Sequence, residues 1–135
     1  MKHYLMALAL IPTLSWAQPP NLLGTWTGES VATVMGGGGH HPGNVDSGPA
    51  FKPIKVIYII EKQEGPNFFG MFKSPTLTEP FVGTFRRDHR SGIMTDLDGQ
   101  FNFDVYEKDR MEICYSHPKG SGGYAVAVCV DVKRQ

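Results

Sequence analysis

The sequence predicts an all-β domain, an eight-stranded antiparallel up-and-down β-barrel with one disulfide in its last hairpin. Three observations lead there. Short runs of alternating apolar and polar residues recur from Gly24 onward, and no segment sustains a helical period. Sixteen glycines and ten prolines in 135 residues interrupt those runs with turns. Eight sequential strands joined by short links favour closure, because a closed barrel leaves no exposed sheet edge.

Taken in order, the first segment is an address. Lys2 and His3 give a positive start, Tyr4 to Ile11 an apolar core, and Ser15-Trp16-Ala17 a small-x-small cleavage site, the pattern of a secretory signal peptide over 1–17. That apolar run is shorter than the about 20 residues a helix needs to span a bilayer, and no other stretch is long enough. A single barrel domain then covers 18–135, and the expected location is periplasmic or secreted. Its strands are expected at 24–34, 50–62, 67–73, 80–87, 92–97, 100–106, 110–116 and 124–133. Glu64-Gly65-Pro66-Asn67, Asp88-His89-Arg90-Ser91-Gly92, Asp98-Gly99 and Lys108-Asp109 mark tight connections between them. The one long connection, 35–49, carries Gly36 to Gly39, His40 and His41.

Alternation then assigns faces. Strand six sets Phe101, Phe103 and Val105 against Gln100, Asn102 and Asp104. In strand one, Trp26 goes inside together with Gly24, Gly28, Ser30, Ala32 and Val34. Those small residues leave a cavity, unless Tyr58, Phe72 or Phe85 fills it from across the barrel. Centring the last hairpin on Gly120-Ser121-Gly122-Gly123 sets Cys114 opposite Cys129 on the outer face. Met111, Ile113, Tyr115, Val126, Val128, Val130 and Val132 then share the inner face. An oxidising compartment permits the disulfide, and closing its loop stabilises the fold by roughly 3 kcal/mol in the chain-entropy model. A redox role would call for a Cys-x-x-Cys spacing, which is absent.

Gly24-Thr25-Trp26, following Asn21-Leu22-Leu23, resembles the Gly-x-Trp start shared by lipocalins, fatty-acid-binding proteins, avidins and a family of bacterial metalloprotease inhibitors. The resemblance to this calycin-like group implies that an Arg or Lys of the last strand lies across the Trp ring and closes the barrel floor. Parity selects Arg134, which shares the inward phase of Val130 and Val132. Avidins match best in length and in the Gly-Thr-Trp spelling. Biotin binding in that family uses several Trp residues and an Asn two residues after the motif Trp, whereas this domain has only Trp26 and carries Gly28 there. The avidin shell is therefore expected without the biotin site. Lipocalins carry a helix that no segment here supplies, and the disulfide of the metalloprotease inhibitors does not join their last two strands.

Function is bounded first by charge. Lys and Arg number 13 and Asp and Glu number 13, so the basic excess of a nucleic-acid binder is missing. A meander places connections 1–2, 3–4, 5–6 and 7–8 on one rim, opposite the Trp26 floor. That rim gathers His40, His41, Asp46, Glu79, Asp96, Asp98 and His117. Histidines with carboxylates suit a transition metal such as zinc, copper or nickel. Asp98-Gly99 reads as a hairpin turn, since the rest of a calcium loop is missing. No Gly-x-Ser-x-Gly, His-Glu-x-x-His or phosphate-binding loop is present, so nothing requires an enzyme.

Three function classes follow. The leading one is an exported binding protein without a cofactor. It holds a small, mostly apolar molecule in the barrel mouth, lined by Trp26, Tyr58, Phe85, Phe103 and Tyr115. The second is a protein–protein module such as an exported protease inhibitor, with a solid barrel and a partner engaged by Pro19-Pro20-Asn21 or the 35–49 loop. The third binds a metal through His40, His41 and His117. Ile57 and Ile59 face outward on strand two and offer a surface for a homo-oligomer.

Overall fold

The computed structural model describes residues 18–36, 48–117 and 124–135. The segment 1–17 expected as a signal peptide, His40, His41 and Asp46 of the long connection, and residues 120–123 expected at the centre of the last hairpin lie outside the described residues. Eight strands follow one another: β1 (Gly24–Met35), β2 (Ala50–Glu64), β3 (Asn67–Lys73), β4 (Thr78–Phe85), β5 (Ser91–Thr95), β6 (Gln100–Glu107), β7 (Arg110–His117) and β8 (Ala125–Arg134). Each pairs antiparallel with the next, and β8 pairs with β1, so the sheet is a closed barrel. No helix occurs among the described residues.

Most strands begin or end within one or two residues of the sequence expectation, and two early endings have a clear local reason. β4 ends at Phe85 rather than at residue 87. The Asp88 carboxylate accepts the backbone N–H groups of Arg90 and Ser91 at 3.0 Å, and His89 turns left-handed at φ 54°, so the chain reverses at once. β5 ends at Thr95 rather than at 97, because Asp96 Oδ1 accepts the N–H groups of Asp98 and Gly99 at 2.9 and 2.6 Å. Register shifts at Ile60/Lys62 and at Val105/Glu107 add bulges that alternation did not foretell.

The predicted hairpin register holds. Cys114 faces Cys129, Ile113 faces Val130 and Tyr115 faces Val128. The two sulfurs form the disulfide, with Cα atoms 3.9 Å apart. On the inner face, Phe68, Phe85 and Phe103 meet edge to face, with centroids 5.1–5.9 Å apart. Gly92 makes room for this cluster, since a β-carbon there would overlap the Phe103 ring.

The floor is closed by both ends of the domain. Trp26 is fully buried, and its indole N–H donates to the Leu22 carbonyl at 2.8 Å. Leu22 is itself buried and its N–H donates to Gln63 Oε1 at 2.8 Å. Across the Trp26 ring lies the Arg134 guanidinium, 4.4 Å from the ring centroid. Arg134 also donates to the carbonyls of Asn21 and Leu23 and pairs with Asp109 at 3.0 Å. Gln63 holds Pro20 by a further hydrogen bond at 3.0 Å. The leader 19–23 is thus a plug tied to β2 and β8.

Candidate functional site

Toward the other end of the barrel the inward residues of β1 and β8 are small, and the space between them and the facing strands is not filled. A cavity of about 210 Å³ remains there. β1 contributes Ala32 and Val34, β2 contributes Ile54, Val56 and Tyr58, and β8 contributes Val126, Val128 and Val130. Phe72, Phe101 and Tyr115 complete the aromatic wall. The small inward phase of β1 explains the cavity's position: above Trp26 the strand presents only Gly28, Ser30, Ala32 and Val34.

Two carboxylates enter this apolar lining. Glu79 stands opposite Phe72 on the inward phase of β4 and is only 7% exposed. Asp96 follows β5 and is half-buried, with Oδ1 holding the β5–β6 turn. Both act on the tyrosines beside them. Burial, reinforced by Asp96, pushes the Tyr58 phenol well above its ordinary range. Burial together with Asp96, Glu79 and Asp98 does the same for Tyr115. Tyr124 is raised by burial and by the same three carboxylates. The phenols are neutral hydroxyls at physiological pH.

Tyr115 is the best-positioned of these side chains. Its ring packs on Phe101 at 4.6 Å between centroids. It lies over Gly99, where a β-carbon would overlap it. Its hydroxyl is 3.4 Å from His117 Nδ1, and the His117 ring stacks on Tyr124 at 4.5 Å. A rim depression beside the cavity joins Asp96, Asp98 and His117.

The five residues expected to line a ligand divide. Tyr58 and Tyr115 line the cavity. Trp26, Phe85 and Phe103 do not; they belong to the packed core of the floor half. Of the rim group, Glu79, Asp96, Asp98 and His117 come together at the mouth, while His40 and His41 lie outside the described residues. Among the described residues the one cluster with metal-ligand spacing is Glu112, Cys114 and Cys129, and both sulfurs are in the disulfide. His117 joins no such cluster there. Ile57 and Ile59 do face outward, Ile57 at 38% exposure. A wider depression on the outer side of β3–β6 runs past exposed Phe69, Val82 and Ile93 and is open surface rather than an enclosed pocket.

Sequence reasoning missed the lining roles of Ile54, Phe72, Leu77 and Val128, and it put Glu79 on the rim rather than in the wall. The available signal was distance from the mouth loops. Tyr115 lies two residues before the end of β7 at the mouth, whereas Phe85 ends β4 at the floor. Searches against protein-family models, curated proteins and solved structures found no match to this chain.

Proposed function

We propose that this is an exported binding protein of the calycin-like type that holds a small, mostly apolar ligand in the barrel mouth. The observation that carries the reading is the cavity, open at the barrel mouth, above a packed floor, walled by aliphatic and aromatic side chains with two carboxylates among them. Such a composition, mostly apolar with few polar groups, is that of a small-molecule site. At about 210 Å³ the cavity exceeds the ~150 Å³ apolar cavity that accepts benzene, and falls below the ~300–1,000 Å³ of drug-sized pockets. A compact molecule fits it.

Affiliation with the calycin-like barrels is supported by Gly24-Thr25-Trp26 at the start of β1 and by Arg134 over the Trp26 ring. Export is supported by the signal-like segment 1–17 and by the disulfide. The binding reading gains over a partner docked on the leader, because Pro20, Asn21 and Leu22 are engaged by Gln63 and Arg134 of the barrel itself.

Native mass spectrometry of protein recovered from the exported fraction tests this. The expected spectrum carries an extra small mass that is lost on denaturation and unaffected by a chelator. A mass removed by the chelator would replace the apolar ligand with a metal. A bare polypeptide that also takes up no apolar compound from a fragment mixture would refute the reading.

A further inference from the structure

The cavity wall is not uniform around the barrel. Along β8 and β1 it is aliphatic, with Val126, Val128 and Val130 on one strand and Ala32 and Val34 on the other. Across the space stands a crescent of four rings, Tyr58, Phe72, Phe101 and Tyr115. Register builds the crescent from two cross-strand pairs. Tyr58 is directly opposite Phe72 on β2 and β3, and Phe101 is directly opposite Tyr115 on β6 and β7. Ring centroids are 5.2 and 4.6 Å apart within the pairs, and Phe101 joins the pairs at 6.1 Å from Tyr58 and 6.4 Å from Phe72. The four rings are thus one connected aromatic surface, each inclined to its neighbours by 47° to 84°. The surface is held in place: Tyr58, Phe72 and Phe101 are buried, and Tyr115 is seated over Gly99, where a β-carbon would overlap its ring.

The geometry points to a planar aromatic ligand, of one ring or two fused rings, held between the ring crescent and the valine wall. This rests on the mouth cavity being the ligand site and adds the chemical class of the ligand. An apolar cavity of ~150 Å³ accepts benzene, so one of about 210 Å³ leaves room for a second fused ring or a short substituent. A flat ring set against neighbours inclined at these angles presents its face to one and its edge to another. Those are the offset and edge-to-face arrangements that aromatic quadrupoles favour, and they add to what burial alone supplies. The branched methyl groups of Val126, Val128 and Val130 remain to cover the other side of the ligand. A saturated ring or an alkyl chain of the same size gains the burial without the ring contacts. Because the crescent is already packed in the folded chain, binding has little side-chain order left to impose on it.

The test is a calorimetric titration of the protein with benzyl alcohol and cyclohexylmethanol, which share a carbon skeleton and a hydroxyl and differ in the aromaticity of the ring. On apolar area alone the saturated alcohol would bind more tightly. Benzyl alcohol is expected instead to bind at least about threefold more tightly than cyclohexylmethanol. In Tyr115→Leu, which keeps an apolar side chain and removes a ring of the crescent, that ratio should fall by about threefold. Phe72→Leu should lower it likewise and serves if Tyr115→Leu does not fold. Cyclohexylmethanol binding as tightly as benzyl alcohol would overturn the aromatic assignment and leave the mouth as a site for apolar molecules at large. A ratio that stays within about twofold of the parent's in the folded variants would do the same. Failure of both alcohols to bind would overturn the assignment and the mouth site together.

Discussion

The two halves of this barrel are built from the same alternation yet do opposite things. In the floor half, Trp26, Leu22, Phe68, Phe85 and Phe103 fill the interior, and Arg134 and Gln63 bind the leader over them. In the mouth half, β1 offers Ala32 and Val34 and β8 offers Val126 and Val128, so the aromatic rings of Tyr58, Phe72, Phe101 and Tyr115 stand around a space rather than across it. Tyr58, paired with Trp26 across β1 and β2, is where the halves meet. The difference teaches that closing a small barrel does not decide whether it is hollow. The sizes of inward residues at each height decide it, together with whether the segment before the first strand folds in as a plug.

The sharpest way to break the comparison is to remove the centre of the floor. Trp26→Ala deletes a fully buried ring, its hydrogen bond to Leu22 and the seat of Arg134. It should destabilise by about 3–5 kcal/mol. Chemical denaturation followed by far-ultraviolet circular dichroism reads this, and a loss under about 1 kcal/mol would mean that the floor does not hold the barrel shut. Next in size is the disulfide, which sits on the outer face of the β7–β8 hairpin between floor and mouth. Replacing both Cys114 and Cys129 by Ser should cost up to roughly 3 kcal/mol. Uptake of a small apolar compound by the mouth should be unaltered. A changed uptake would show that the hairpin's pairing sets the cavity's shape.

A matched pair of substitutions on β8 compares the halves most closely. Val132 is fully buried in the floor, whereas Val128 lines the cavity and is only partly buried. Val132→Phe forces a ring into filled space and should cost about 1–3 kcal/mol. Val128→Phe places the same ring where space exists, so stability should change by less than about 1 kcal/mol while uptake of a small apolar compound is lost. Equal costs at the two positions would mean that the mouth is as full as the floor.

These positions also show what the sequence made legible. The resemblance to calycin-like barrels called for a basic residue over the Trp26 ring and parity selected Arg134, while parity and the hairpin centre put Cys114 opposite Cys129, because side-chain direction in a strand has a period of two and a hairpin fixes register. Parity put Phe85 and Phe103 inside as well, correctly, but it carries no information on height along the barrel axis. Height depends on strand tilt and on bulges such as those at Ile60/Lys62 and Val105/Glu107, where one added residue leaves the residue pattern almost unchanged. That is why three of the five expected lining residues belong to the floor. Leu22 was hidden for another reason: it precedes the first strand, where no period runs, and its burial depends on Gln63 from 41 residues away. Glu79 was legible as a mouth residue through the order of the connections, but its burial in an apolar wall was visible only from the fold.

The smallest effect compares two turns of the same design at opposite ends. Asp96 at the mouth and Asp88 at the floor each accept backbone N–H groups two and three residues ahead. Asp88 in addition accepts the Ser91 hydroxyl at 2.7 Å. That hydroxyl, followed by the N–H groups of Arg90 and Ser91, holds the Asp88 carboxyl at about 2, below the usual 3.8. A carboxyl whose value is lowered in the folded chain adds stability that is complete above the unfolded value and is lost as pH falls through the folded one. Asp88→Asn should therefore lower Tm by a few degrees at pH 7, and the gap to the parent should close between pH 4 and pH 2. Thermal scans across that window check it. A gap that persisted at pH 2 would assign the turn's strength to the shape of the side chain rather than to its charge.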